Sequence, residues 1–241
     1  MVNTTTSFAS RRLPIAHSPF TIHQFAINWF ENKLDEVKIE LENQLNEFRL
    51  SEALKTVYSL IWDDFCSWYL EWVKPGFEQP IETIVYKKTV EFFEELMQFL
   101  HPFMPFITEE IYQLLNVQSI DLCVSQYATE KIPDTALLQQ GELLKHVISA
   151  LRDARNKNQL KPKETITLFI ETATPAAYSP IGNILAKQIN AASIQFTTIA
   201  VSNTIVVAIE KDKFYIQSEK QLDTITLKAD LLKDLEHQQS F

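Results

Sequence analysis

From about Thr21 to Gln126 apolar residues recur at three- and four-residue spacing, the period of helices that bury one face. Over residues 21–45 the stripe is Ile22, Phe25, Trp29, Leu34, Val37 and Leu41. Ser51 is placed to cap a second helix, which continues through "IWDDFCSWYLEWVKP", residues 61–75. Wound at 3.6 residues per turn, Ile61, Phe65, Trp68 and Trp72 share one stripe, and Trp62, Cys66, Tyr69 and Val73 the next. Asp64, Ser67, Glu71 and Lys74 take the narrow strip left over. That places Trp62, Trp68 and Trp72 in a bundle core, and Pro75-Gly76 ends the helix. A third helix over 82–100 turns Val85, Val90 or Phe92, Phe93, Leu96 and Leu100 inward. "HPFMPFITEEIYQLL" breaks at Pro102 and restarts near Pro105, with Glu109 and Glu110 facing the positive end of the helix dipole.

After a polar connector a further helix is expected from Thr135 to Asn158, and then the period changes. "TITLFIE" alternates Ile166, Leu168 and Ile170 with Thr167, Phe169 and Glu171, as a strand does. Ile181, Ile184, Leu185 and Ile189 mark a short helix, and "TIVVAIEKDKFYIQ" reads as a hairpin turning near Lys211-Asp212. Leu227, Leu231 and Leu235 line the start of a last helix. The expected fold class is mainly α: an antiparallel helix bundle, then a small α/β module with a mixed or antiparallel sheet, then the start of a coiled-coil helix. The expected division is 1–20 as an N-terminal extension, 21–133 as the bundle, 134–226 as the junction helix with the α/β module, and 227–241 as the coiled-coil start.

Composition removes several functions. Three glycines stand where about 17 are usual in a chain of 241 residues, so neither a Walker loop nor a dinucleotide fingerprint can be assembled. The five histidines have no metal-binding spacing. Cys66 and Cys123 form no C-x-x-C pair, which fits a reducing compartment, and the expected location is the cytoplasm. No apolar run is long enough to cross a membrane, and the first residues lack the apolar centre of a secretion signal. No metal, membrane or cofactor is expected for this chain, and a monomer is.

The net charge of −9 hides a local reversal. Between Lys145 and Lys163 lie Lys145, Arg152, Arg155, Lys157, Lys161 and Lys163 against the single acid Asp153. Arg152 and Arg155 project from one helix face, and the later lysines enter the loop before the first strand, as phosphate contacts require. A solvated basic helix end fits the same residues. Lys87 and Lys88 beside Tyr86, Arg49 ahead of the helix carrying Trp62, and Lys74 at that helix's end complete the candidate RNA contacts.

"IWDDFCSWYLEWVKP" followed by "LHPFMPFITEEIYQLL" resembles the anticodon-binding region of bacterial-type valyl-tRNA synthetases, class I enzymes with a helical bundle behind the catalytic domain. "ISALRDARNKNQLKPKETITLFI" is similar to the junction that follows that bundle, and "LKADLLKDLEHQQSF" to the opening of the coiled-coil arm. The similarity covers about Ile22 to the C-terminus. The H-I-G-H and K-M-S-K-S signatures of the ATP site, the editing domain and the Asn/Arg/aromatic helix usual ahead of the bundle are absent. The resemblance implies a fragment that binds valine-specific tRNA, while ATP and Mg, aminoacylation and editing belong to the parent enzyme. Two other readings compete. One is a synthetase-like bundle that binds protein. The other is a free-standing enzyme using Asp63, Asp64, Cys66 or His101.

Overall fold

Large aromatic side chains on the inward stripes decide how the first helices meet. The computed structural model describes residues 23–76, 78–115, 120–126 and 131–218. The expected extension 1–20 and the coiled-coil start 227–241, with Leu227, Leu231 and Leu235, lie outside the described residues. Helix α1 (Gln24–Asn46) is followed by α2 (Leu50–Ser59), a π-helical stretch (Leu60–Tyr69) and α3 (Leu70–Val73), the last three forming one continuous rod. The Gln44 side chain donates to Thr56 at one end and Phe25 meets Trp72 at the other, so rod and α1 run antiparallel. Helix α4 (Thr83–Leu100) returns along them, with Phe30, Phe65, Tyr69 and Phe92 in mutual contact. Helix α5 (Pro105–Leu115) then packs on α4.

The π stretch overturns two expectations. Its hydrogen bonds reach five residues, as does that from the Ser67 hydroxyl to the Trp62 carbonyl at 2.8 Å. Each residue therefore turns through less than the 100° of an α-helix, and faces assigned at 3.6 residues per turn drift. Trp62, expected in the core, is 60% exposed, whereas Asp64, expected on the polar strip, is only 9% exposed. Trp72 and Tyr69 are fully buried as expected. Ser51 is not the N-cap: the helix begins at Leu50 behind Arg49, and no side chain caps it.

Helix α6 (Thr135–Lys157), capped by the Asp134 carboxylate, crosses α1. Gly141 is the crossing point, where a Cβ would lie 2.1 Å from the Trp29 Nε1. A glycine inside a helix costs about 1 kcal/mol of propensity, and here it is what lets the indole in. The other side of α6 carries the α/β module: β1 (Ile166–Glu171), α7 (Gly182–Gln188), β2 (Ala191–Thr197), β3 (Ile205–Ile209) and β4 (Asp212–Ser218). The sheet is mixed, in the order β2-β1-β4-β3, with β1 and β2 parallel and the other pairs antiparallel. Ile166, Leu168 and Ile170 are buried with Phe214 and Ile216 of β4, and the hairpin turns at Glu210-Lys211, one residue before the expected place.

Scarce glycine leaves left-handed positions to other residues. Phe48, Gln159 and Asn190 have positive φ, of 58°, 55° and 53°, just past the ends of α1, α6 and α7. At α6 the Leu160 amide reaches back to the Arg155 carbonyl and the Gln159 amide to that of Asn156, a Schellman closure.

Candidate nucleic-acid interface

The closure of α6 sets up the basic end of the molecule. Arg155 is only 4% exposed. Its guanidinium donates to the backbone carbonyls of Ile189, of Lys161 at 2.7 Å, of Pro162 at 3.4 Å and of Glu164 at 2.6 Å. Burial lowers its pKa, with Glu164 opposing, from a starting value so high that it stays a cation. Spacing placed Arg155 among the phosphate contacts; the structure corrects this, because its donors are turned onto the chain's own backbone. It fixes the 158–165 loop, which presents Lys161 and Lys163 in exposed positions beside Lys157 at the end of α6, all three with no ion pair among the described residues.

Arg152 is exposed beside it and donates to the Gln188 side-chain oxygen at 2.6 Å. Gln188 in turn donates to the Glu71 carbonyl at 2.8 Å. The neighbouring Lys187 ammonium donates to the carbonyls of Trp72, at 3.3 Å, and of Lys74. These are carbonyls at the end of the α2–α3 rod, where the helix dipole favours a cation. Desolvation lowers the Lys187 pKa, with Glu71 opposing the shift. Lys74, Arg152 and the loop lysines are thus drawn to one end of the molecule. Lys187 and Gln188, which do this, carry no sequence signal beyond their place at the end of an amphipathic helix.

The other candidates are mostly matched by acids, and all but Lys74 lie apart from that end. Arg49 stands at the far end of the rod from Lys74, roughly 35 Å away at helical rise, held by Glu47 and Glu52 at 2.7 Å each. Lys88 is half-buried between Glu91 at 2.9 Å and Glu31 at 3.8 Å. Lys74 pairs with Glu71 at 3.1 Å. Lys87 is exposed and makes no ion pair among the described residues. Lys145, counted in the basic run, is a structural cation: it lies 2.6 Å from Asp64, 2.8 Å from Glu142 and 4.6 Å from the centroid of a Trp29 ring.

The residues of the enzyme reading do not converge. Asp64 is tied to Lys145, while exposed Asp63 accepts from the Ser59 hydroxyl at 2.7 Å. His101 bonds the buried Thr108 at 2.8 Å. Burial raises the Cys66 thiol pKa, the opposite of what a nucleophile needs. Among the described residues no cluster of histidine, cysteine and acidic side chains is placed to hold a metal ion, and no helix is long and apolar enough to cross a membrane. A separate apolar stripe, Leu50, Leu54, Tyr58 and Trp62, is exposed along the rod.

A helix bundle sealed by an α/β cap, with exposed lysines fixed at their junction, has the build of a nucleic-acid-binding module. Residues 28–170 match the family described as the anticodon-binding domain of tRNA ligase, and the chain belongs to that family. Its similarity extends to valine–tRNA ligase of Parabacteroides distasonis, 33% identical over 90% of this chain and 25% of that protein. That of Bacteroides thetaiotaomicron is also 33% identical, with the same coverage. That of Porphyromonas gingivalis is 42% identical over 65% of this chain and 18% of its own length. The chain spans about a quarter of the length of the first two. The family match runs through α6 and into β1.

Proposed function

We propose that the chain is the anticodon-binding and junction region of a valine–tRNA ligase, supplying tRNA affinity and selection to an enzyme that attaches valine with ATP and Mg. Phosphate contacts would set the register of the tRNA and unpaired bases its identity. The observation that carries the reading is the set of exposed lysines, Lys157 at the end of α6 with Lys161 and Lys163 on the loop pinned by Arg155. Arg152, Lys74 and Lys87 stand as further contacts. Lys88 and Arg49 would have to leave acidic partners to join them. The reading includes a cytoplasmic monomer, no cofactor in this region, and a bundle over 21–133 joined to a module over 134–226.

The test is binding of the chain to valine tRNA and to an unrelated tRNA across a salt series, followed by fluorescence anisotropy. Selective binding that weakens steeply with salt is the expected result. Equal binding to both tRNAs would reduce the role to a generic phosphate surface. The exposed stripe Leu50, Leu54, Tyr58 and Trp62 favours a second reading, a protein contact on another face. In that case Tyr58→Ser with Trp62→Ser would leave RNA binding intact while abolishing the protein contact.

A further inference from the structure

Between the C-terminal half of α6, the 158–165 loop and the end of α7 lies a cleft of about 360 Å³. Its polar wall is Arg152, Asn156 and Gln188, its apolar side Leu160, Pro162 and Ile189, and the Arg155 guanidinium backs it. This volume falls at the small end of ligand sites, about 300–1,000 Å³, and suits one nucleotide better than a stacked pair.

The charge in the cleft is open to an anion. The Arg152 and Arg155 guanidiniums bond to a carboxamide and to backbone carbonyls. The acid that acts on Arg155 is Glu164, whose carboxylate accepts from the Ser218 hydroxyl at 2.5 Å. Arg152 engages the protein through one terminal nitrogen and keeps further N–H donors. Gln188 is used at both ends, its oxygen toward Arg152 and its nitrogen toward the Glu71 carbonyl, so it positions the arginine. The Asn156 side chain is exposed at the rim and has no partner among the described residues. Asp153 follows Arg152 directly, and consecutive side chains diverge by about 100° on a helix.

We propose that this cleft holds one unpaired nucleotide of the bound RNA. The base would lie over the exposed Pro162, with the nearly buried Leu160 and Ile189 as the floor beneath it, its edge at the Asn156 carboxamide and its phosphate at Arg152. Lys157 and Lys161 would take the adjoining phosphates. A base inside a duplex cannot enter such a cleft, so the ligand is a single-stranded or splayed segment. This deepens the RNA-binding reading and rests on it.

The experiment uses the whole chain in two forms, one carrying Asn156→Asp and one with a benzophenone photocrosslinker at position 156. Position 156 is exposed, so the aspartate variant should keep the melting temperature of the parent. Its tRNA affinity is expected to fall about tenfold, since the carboxylate loses the amide donor to the base edge and sets a negative charge beside the phosphate at Arg152, and the crosslink to map to one unpaired nucleotide. Unchanged affinity with intact parental binding, or crosslinks confined to paired stems, would overturn the cleft while leaving the RNA-binding reading in place. If the parent chain binds no tRNA, that reading has failed. The cleft is then decided by titrating AMP, UMP and inorganic phosphate. Saturable mononucleotide binding abolished by Asn156→Asp would sustain a site for free nucleotides, and no binding, or phosphate binding alone, would overturn it.

Discussion

Lys145 and Lys161 belong to one basic run and play opposite parts. The first lies inside the crossing of α6 with the bundle, bonded to Asp64 and Glu142 above an indole. The second stands in water on a loop whose backbone is held from below by Arg155. In the middle of α6 positive charge holds the fold together; at its end Arg155 holds the loop so that other cations remain available. A count of charges along the chain cannot separate the two, because what buries Lys145 comes from 81 positions earlier and what occupies Arg155 is mainly backbone.

The comparison can be broken hardest at its buried end. Lys145→Met leaves Asp64 as an uncompensated, nearly buried carboxylate and removes the cation from Trp29. Loss of one partner of such a pair costs about 3 kcal/mol or more, measured by urea unfolding, and the Asp64→Asn, Lys145→Met double variant should recover part of it. Arg155→Met comes next, at about 2 kcal/mol, since the buried Ile189 carbonyl and the part-buried carbonyls of Lys161 and Glu164 lose their donor. It should also raise hydrogen exchange in residues 158–165 more than in α1. Gln159→Gly should work the other way, stabilising by about 0.5–1 kcal/mol because the left-handed closure of α6 no longer carries a side chain.

The smallest effect is expected at Glu109, whose carboxylate accepts from the Gln113 side chain and the Leu122 amide and is thereby held below the usual carboxylate range. Because its folded pKa is depressed, its contribution is present above the ordinary glutamate value near 4.5 and is lost as pH falls through the folded value. The melting temperatures of the parent and Glu109→Gln should therefore differ slightly at pH 6 and converge toward pH 3.

Much of this architecture is legible from period alone. The α1 stripe Phe25, Trp29, Leu34, Val37 and Leu41 is buried as its spacing implies, and so are Ile166, Leu168 and Ile170 of β1. Legibility fails where the period itself changes. Across Leu60–Tyr69 a π-helix exchanges the expected environments of Trp62 and Asp64, and nothing in the local sequence announces the wider turn. Of the candidate site, the loop lysines and Arg152 are exposed where spacing put them, but Arg155 is not. Its burial depends on the Schellman turn at Gln159, where a glycine would have signalled the closure, and on the distant Ile189 carbonyl.

The most direct test of the central claim is the salt dependence of tRNA binding by a Lys157→Gln, Lys161→Gln, Lys163→Gln variant beside the parent. The exposed lysines make no ion pair among the described residues, so stability should stay within about 0.5 kcal/mol. The slope of log affinity against log salt should become shallower by about 2–3 units, at roughly 0.7–0.9 for each phosphate no longer neutralised. An unchanged slope at unchanged stability would contradict the account and place the phosphate contacts elsewhere on the molecule.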